Sequence, residues 1–281
     1  MKKKQRVQKI IYYILVTVIG LIMIYPLLWM IMSSFKETNT IFLTANSLIP
    51  EKFTLENYVN GWKGFAKISF GTFFKNSFVI ALTATIGTVF SSSLIAFGLS
   101  RCRFRGNRLV FAAVLLTMMV PAQVLMVPQY LWYQKLGWVG SYIPMIVPYC
   151  FGIQGFLVYL IYNFMEGIPK ELDEAAKIDG CSYFAIYKDL VTPLTVPALV
   201  TAAIFSFIWR WDDFMSALLY INKAARYPIS LALKLFTDPG STSDYGAMFA
   251  MSTLSIVPIL VIFIFGQKYL VDGAASSGLK G

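Results

Sequence analysis

Residues 174–194 read EAAKIDGCSYFAIYKDLVTPL, a charged and glycine-broken run between two long apolar segments. Pro169, just upstream, suits the first position of a helix because its missing N–H is not needed there. Glu171, Asp173 and Glu174 crowd the first turn, where the helix dipole favours acids. Lys177 falls near the end, and Gly180 can take the left-handed conformation that closes a helix. The pattern predicts a short helix over 169–179 that stops at the glycine. Ser182 can cap a second short helix over 183–190, and Pro193 then precedes another apolar run. The product is a helix-turn-helix elbow. It is either a solvated connector or a docking lug for a soluble partner. A capped elbow needs more residues specified than a tether does, because each ordered residue costs conformational entropy.

The surroundings of the run set the class of the chain. Of its 281 residues, 57% are hydrophobic and only 14% charged, against about 25% charged in an average soluble domain. A helix needs about 20 predominantly apolar residues to cross the hydrocarbon of a bilayer. Six stretches qualify: 10–35, 77–99, 109–132, 142–165, 196–221 and 247–267. Helix is the expected state, since a spanning segment must satisfy its own backbone hydrogen bonds. Closed barrels, the alternative, use strands of about 10 residues that alternate apolar and polar positions, and these runs are longer and continuous. The fold expected is an all-α integral membrane protein with six transmembrane helices.

The excess of ten positive charges does not point to nucleic acid, because the basic residues flank apolar spans instead of forming one face of a soluble fold. Histidine is absent, which removes the commonest general base and metal ligand. Cys102, Cys150 and Cys181 are spaced as no zinc or redox motif. The N-terminal MKKKQRVQK resembles the head of a secretory signal, but the 26 uncharged residues that follow, 10–35, are too long for a cleaved core. They read as a retained first span. No cofactor or metal is expected.

Lys and Arg set the orientation. With the N-terminus inside, the inner segments carry 14 of them and the outer segments 9. The short loop RCRFRGNR, 101–108, weighs most. Both termini and the elbow are then cytoplasmic. The organisation expected is a tail over 1–9, a membrane domain over 10–270 with the elbow at 169–193, and a tail over 271–281. Prolines at 26, 121, 128, 144, 148 and 258 interrupt the spans. Each removes a backbone donor and kinks its helix. Pro121 and Pro128, beside Gln123 and Gln129, are the best candidates for a bend along a polar path.

With these residues in place, the run resembles the signature of ABC importer permeases: Glu-Ala-Ala, three residues, Gly, nine residues, Ile-x-Leu-Pro. Glu174, Ala175, Ala176, Gly180 and Pro193 match, and Asp179 fits the Asp-Gly of the sugar-importing branch. Leu190 and Thr192 depart from the usual Ile and Leu. SFKETNTIF after the first span, FTLENYVNGW before the second and the terminal Gly-x-Lys-Gly are similar to the second permease subunit of maltose-type and multiple-sugar importers. The resemblance implies a type I ABC importer permease in a bacterial cell membrane, bound to a second permease subunit, two ATP-binding subunits and an extracytoplasmic solute-binding protein. It implies that the elbow seats in the ATP-binding subunit, with Glu174 as polar contact, Ala175 and Ala176 permitting close approach and Gly180 making the turn. The chain has no G-x-x-x-x-G-K phosphate loop and is not expected to hydrolyse ATP itself. The solute implied is a sugar or oligosaccharide. The alternatives are a non-sugar solute or a secondary carrier, which would need inverted repeats or an embedded coupling site. A membrane enzyme would need a cluster of catalytic side chains.

FIWRWDDF in the fifth run places Arg210, Asp212 and Asp213 among apolar residues, where Arg costs about 2.5–3.5 kcal/mol to insert. Arg210 and Asp213 are three apart and share a helix face. Two readings stand: an internal ion pair, or a solute path in which Trp209, Arg210, Trp211, Asp212 and Asp213 line the way and the indoles stack on sugar rings. Similar permeases commonly carry Asn where Asp212 stands.

The orientation makes a direct expectation. On intact cells, Cys102 and Cys181 react with membrane-permeant maleimides and not with impermeant ones. Labelling of either by an impermeant reagent would invert the topology.

Overall fold

The computed structural model describes residues 2–152, 154–237 and 243–278, with the side chains of 2–4 and 270–278 excepted. The terminal Gly-x-Lys-Gly thus falls mostly outside the described residues. All the regular elements there are helices: α1 (Lys2–Ser33), α2 (Glu56–Lys63), α3 (Phe70–Arg101), α4 (Asn107–Met119), α5 (Ala122–Lys135), α6 (Ile143–Ile146), α7 (Gly155–Glu166), α8 (Glu171–Ile178), α9 (Tyr183–Trp211), α10 (Phe214–Tyr220), α11 (Ile229–Ala232) and α12 (Tyr245–Gly278). Five helical runs are long and apolar enough to cross a membrane, and α4 with α5 makes a sixth if counted as one bent span.

Three runs read as single spans differ in detail. Residues 109–132 are split at Pro121, where α4 and α5 meet at 101°. Val120, ahead of the proline, is extended at φ −83° and ψ 117°, as the clash with the proline ring demands. Residues 142–165 are divided into α6, a 3-10 turn over Val147–Phe151 and α7, with Gly152 left-handed at φ +68°. The fifth run begins earlier and ends sooner than 196–221: α9 continues from the elbow through Pro193 to Trp211. Pro193 is accommodated by a π-helical stretch over Ile186–Val191, in which Thr192 N–H reaches Tyr187 O. The wider turn relieves the contact between a proline ring and the carbonyl four residues back.

The chain divides into two compact units. The first comprises residues 1–71 and 233–257. Its organising feature is the segment after α1. Lys36, only 2% exposed, donates from Nζ to Thr44 O (2.8 Å) and Ser47 O (2.6 Å). Asn57 of α2 donates to Ser34 O and Lys36 O. Along α1 itself, side chains such as Ile10, Leu21 and Met23 stay more than half exposed, as suits a helix that faces lipid or another subunit.

The second unit comprises residues 72–232 and 258–281. Its larger core joins Ala96 and Phe97 of α3, Leu157, Ile161 and Met165 of α7, and Ile186, Tyr187, Val191 and Ala202 of α9. Tyr187 packs edge-on against Phe97 and its hydroxyl meets Ser93 Oγ at 3.1 Å. A second core gathers Ile80, Tyr133, Met145, Tyr220 and Leu231. Small residues let these helices close up, since lipid tails give no hydrophobic drive for helix association. At Gly87 of α3 a Cβ would lie 2.3 Å from Cys150 Sγ and 3.2 Å from the Cys150 backbone, whereas at Gly98 it would meet nothing within 4 Å.

Those two glycines give a paired expectation. Gly87→Val overpacks a filled site, costs the detergent-solubilised subunit about 1–3 kcal/mol of stability, as overpacking typically does, and so lowers its thermal midpoint. Gly98→Ala holds or raises it, because alanine is about 0.5–1 kcal/mol better than glycine inside a helix.

Candidate coupling elbow and charged helix break

The elbow is built from local chemistry. Helix α8 starts at Glu171, two residues after Pro169, and Glu171, Asp173 and Glu174 lie in its first turn. At its end Gly180 adopts φ +82°. Gly180 N–H donates to Lys177 O (3.0 Å) and Cys181 N–H to Ala176 O (2.9 Å). This pair of bonds is the Schellman closure that a left-handed glycine permits. Ser182 follows as N-cap of α9, its Oγ accepting from Ala185 N–H at 3.2 Å. The short helix, the turn and the restart therefore stand as the residues predict.

Glu174, Ala175, Lys177, Asp179 and Gly180 are exposed, and Ile178 is 87% exposed. Ala176 faces inward and packs against the larger core. Four of the six coupling residues, Glu174, Ala175, Asp179 and Gly180, thus share one exposed projection, with Ala176 on its inner side. Pro193 does not: it lies up α9, about 15 Å beyond Ser182 at about 1.5 Å per residue, and is itself exposed.

Two residues that sequence reasoning used only for charge counting and dipole effects are brought together beneath the elbow. Arg101 ends α3 and Asp173 sits in α8; Arg101 Nε lies 3.2 Å from Asp173 Oδ2, with side chains 2% and 9% exposed. Arg101 Nη2 also donates to Met165 O (2.8 Å) and Ile168 O (2.9 Å), carbonyls left over at the end of α7. A charge closing an apolar run was the visible signal; its partner, 72 positions on, was not. Beside this pair opens a groove of about 1110 Å³ between the elbow and the basic loop after α3, lined by Arg103, Arg108, Lys170, Glu174 and Lys177.

The charged residues of the fifth run lie at a helix break. Asp212 is the C-cap of α9 and Asp213 the N-cap of α10, accepting from Ser216 N–H at 3.0 Å. Arg210 Nη1 pairs with Asp213 Oδ2 at 2.8 Å, the side chains being 11% and 12% exposed. The guanidinium also lies 4.1 Å from the centroid of the Tyr149 ring, a cation–π contact favoured by desolvation. Trp211 is 2% exposed, stacked on Phe207 and edge-on to Phe78. Trp209 is exposed on one side and rests on Phe156 and Phe205. Asp212 is exposed.

These features define a multi-span helical membrane protein with a capped elbow and a neutralised charge cluster. Residues 89–275 match the family described as binding-protein-dependent transport system inner membrane component, and the chain belongs to that family. It is a permease of an ABC importer. It is 37% identical over 257 residues to the probable ABC transporter permease YurM of Bacillus subtilis, covering 92% of this chain and 84% of that one. It is 32% identical to the trehalose/maltose transport system permease MalG of Thermococcus litoralis, covering 99% of both. A permease chain in the crystal structure of a bacterial ABC transporter that imports the acidic polysaccharide alginate shares the fold, with TM-score 0.82 at 23% identity over 95% of this chain and 97% of that chain.

The ion pair makes an expectation. Arg210→Ala strands Asp213, and breaking a buried pair costs about 3–5 kcal/mol. The amount of folded permease recovered from detergent-solubilised membranes falls, and Arg210→Lys restores part of it. Full recovery of folded Arg210→Ala would show the pair to be dispensable.

Proposed function

We propose that this subunit forms half of the translocation path of an ATP-driven carbohydrate importer in a bacterial cell membrane. The other parts are a second, homologous permease subunit, two ATP-binding subunits and an extracytoplasmic binding protein that delivers the solute. The chain carries no ATP site of its own and takes up the work of hydrolysis through the elbow. The observation that carries this reading is the projection of Glu174, Lys177, Ile178, Asp179 and Gly180 from a short helix closed at its end by the Gly180 turn and followed by the Ser182 cap of α9. An elbow built this firmly with an exposed Ile178 and Glu174 is suited to a rigid contact. Ala175 keeps the surface low beside them, while Ala176 packs inward against the larger core.

Carbohydrate as the solute is supported by the relatives, which include permeases named for trehalose/maltose, arabinooligosaccharides and galactooligosaccharides. Within the candidate path, Arg210 and Asp213 are engaged with each other and Trp211 with its aromatic neighbours. Trp209 and Asp212 keep the exposed faces that a passing sugar would meet, one for stacking and one for accepting hydroxyl hydrogen bonds.

The elbow is tested by Glu174→Ala and Gly180→Pro. Proline holds φ near −65° and cannot occupy the left-handed position. Both variants insert in the membrane at normal levels. ATP hydrolysis stimulated by the loaded binding protein falls about tenfold, the effect of losing about 1.4 kcal/mol at the contact. Normal stimulation in Gly180→Pro would sink the proposal. Screening the cognate binding protein by thermal shift against oligosaccharides identifies the solute, and a response confined to amino acids or peptides would remove the carbohydrate reading.

A further inference from the structure

The elbow has a narrow footing. Most of α8 is exposed, and apart from Ala176 its buried side chain is Asp173. Asp173 meets a single cation, Arg101, and that same guanidinium holds Met165 O and Ile168 O. One planar group therefore ties the inner end of α3, the end of α7 and the base of the elbow. A buried pair of this kind adds little net stability, because removing both charges from water offsets their attraction. Its effect is geometric: the guanidinium, a planar group with fixed donor directions, is set by its bonds to Met165 O and Ile168 O, and the charge so placed holds Asp173 at the base of α8. Asp173 Oδ1 and Arg101 Nε and Nη1 have no hydrogen-bond partner, so the two side chains meet as a charge pair at 3.2 Å and are not optimised as a stabilising network. Helix α3, which it grips, is 32 residues long and contributes Ala96 and Phe97 to the larger core of the second unit.

We propose that Arg101 is a positioning residue that locks the elbow to α3, so that the two move as one lever. This rests on the reading of the elbow as the contact for an ATP-binding subunit. A push on Glu174 then reaches α3 through Asp173 and Arg101 without bending the connection over residues 167–170. Without the lock, α8 pivots on Ala176 and the turn at Pro169.

The test is a distance measurement in the assembled importer, held in lipid nanodiscs. Cys102 and Cys150 are replaced by Ser, and spin labels are placed on Cys181 and on Lys75→Cys, which is exposed at the far end of α3. From Lys75 to Arg101 the helix spans about 40 Å at about 1.5 Å per residue, a length that pulsed dipolar spectroscopy reads. Only labelled complexes that hydrolyse ATP like unlabelled ones are used. In the wild-type pairing, the distance peak is narrow and shifts by less than half a helical turn between the nucleotide-free and ATP–vanadate-trapped states. In Asp173→Asn, and in Arg101→Met with Asp173→Leu, the peak broadens in both states and shifts by more than a full turn, about 5.4 Å, on trapping. Asp173→Glu returns it to the wild-type width.

The double variant keeps the test open if the single one assembles poorly, since apolar replacement of a whole buried pair is often neutral. A narrow, state-independent peak in the double variant overturns the proposal, as does a wild-type distance that changes on trapping. Failure of both variants to assemble also overturns it, since the pair is then a folding element. The width in the nucleotide-free state depends on the lock alone. Docking of the elbow is read separately from the Glu174→Ala hydrolysis assay, so either idea can fail without the other.

Discussion

A backbone in hydrocarbon has no water to bond, so every N–H and C=O must find a partner inside the protein. The irregularities of this chain follow from that constraint. Pro193 would leave a gap and a clash in a regular α-helix, and a π-helical stretch from Ile186 to Val191 absorbs it while α9 runs on unbroken. Pro121 is instead placed where the chain turns, between α4 and α5. The same element type gives two outcomes because the neighbours differ. Ile186, Tyr187 and Val191 are buried in the larger core and hold α9 in line, whereas the residues around Pro121, from Met119 to Gln123, are exposed.

Charges are handled by a related rule. Lys36, Arg101 and Arg210 are each largely buried, and each stands at or just beyond the end of a helix. Such ends leave carbonyls without donors, and long cations can serve them. Arg101 takes two of these carbonyls and a carboxylate. Lys36 takes the carbonyls of Thr44 and Ser47 in the segment that follows. Arg210 takes the carboxylate that caps the next helix and the face of Tyr149. In each case the cation stands where the chain leaves a helix, and the net energy of such a pair is modest. Arg101 is the one of the three that lies beneath the elbow.

The family membership and the geometry support each other at different levels. The match over 89–275 covers the elbow, the basic loop after α3 and the charged helix break together. The names of relatives speak to solutes, and the geometry speaks to which residues of the elbow are exposed and which are held. Glu174 on α8 is exposed, whereas Asp173 next to it in sequence is buried and paired with Arg101. Adjacent acids in one helical turn point about 100° apart, so one helix can present a partner and grip its own bundle at once.

The spans, the elbow and its turn were legible in residues 10–270 because their causes are local. Apolar length, a first turn of acids, Gly180 at a left-handed position and Ser182 as a cap each act within a few residues. Local rules also misplaced some boundaries. Pro193 reads as a helix end, and Asp212–Asp213 read as the interior of a span, yet α9 passes the first and stops at the second. Those outcomes depend on what packs against α9, such as Phe97 on Tyr187 and Phe78 on Trp211. By itself the sequence determined an all-helical membrane chain with a capped elbow, since the 3.6-residue helix and its caps are short-range devices. Only the tertiary structure decided that Arg101 would meet Asp173, and Arg210 the ring of Tyr149, because a buried charge is neutralised by whatever carboxylate, carbonyl or aromatic face the folded bundle brings to it, however distant along the chain.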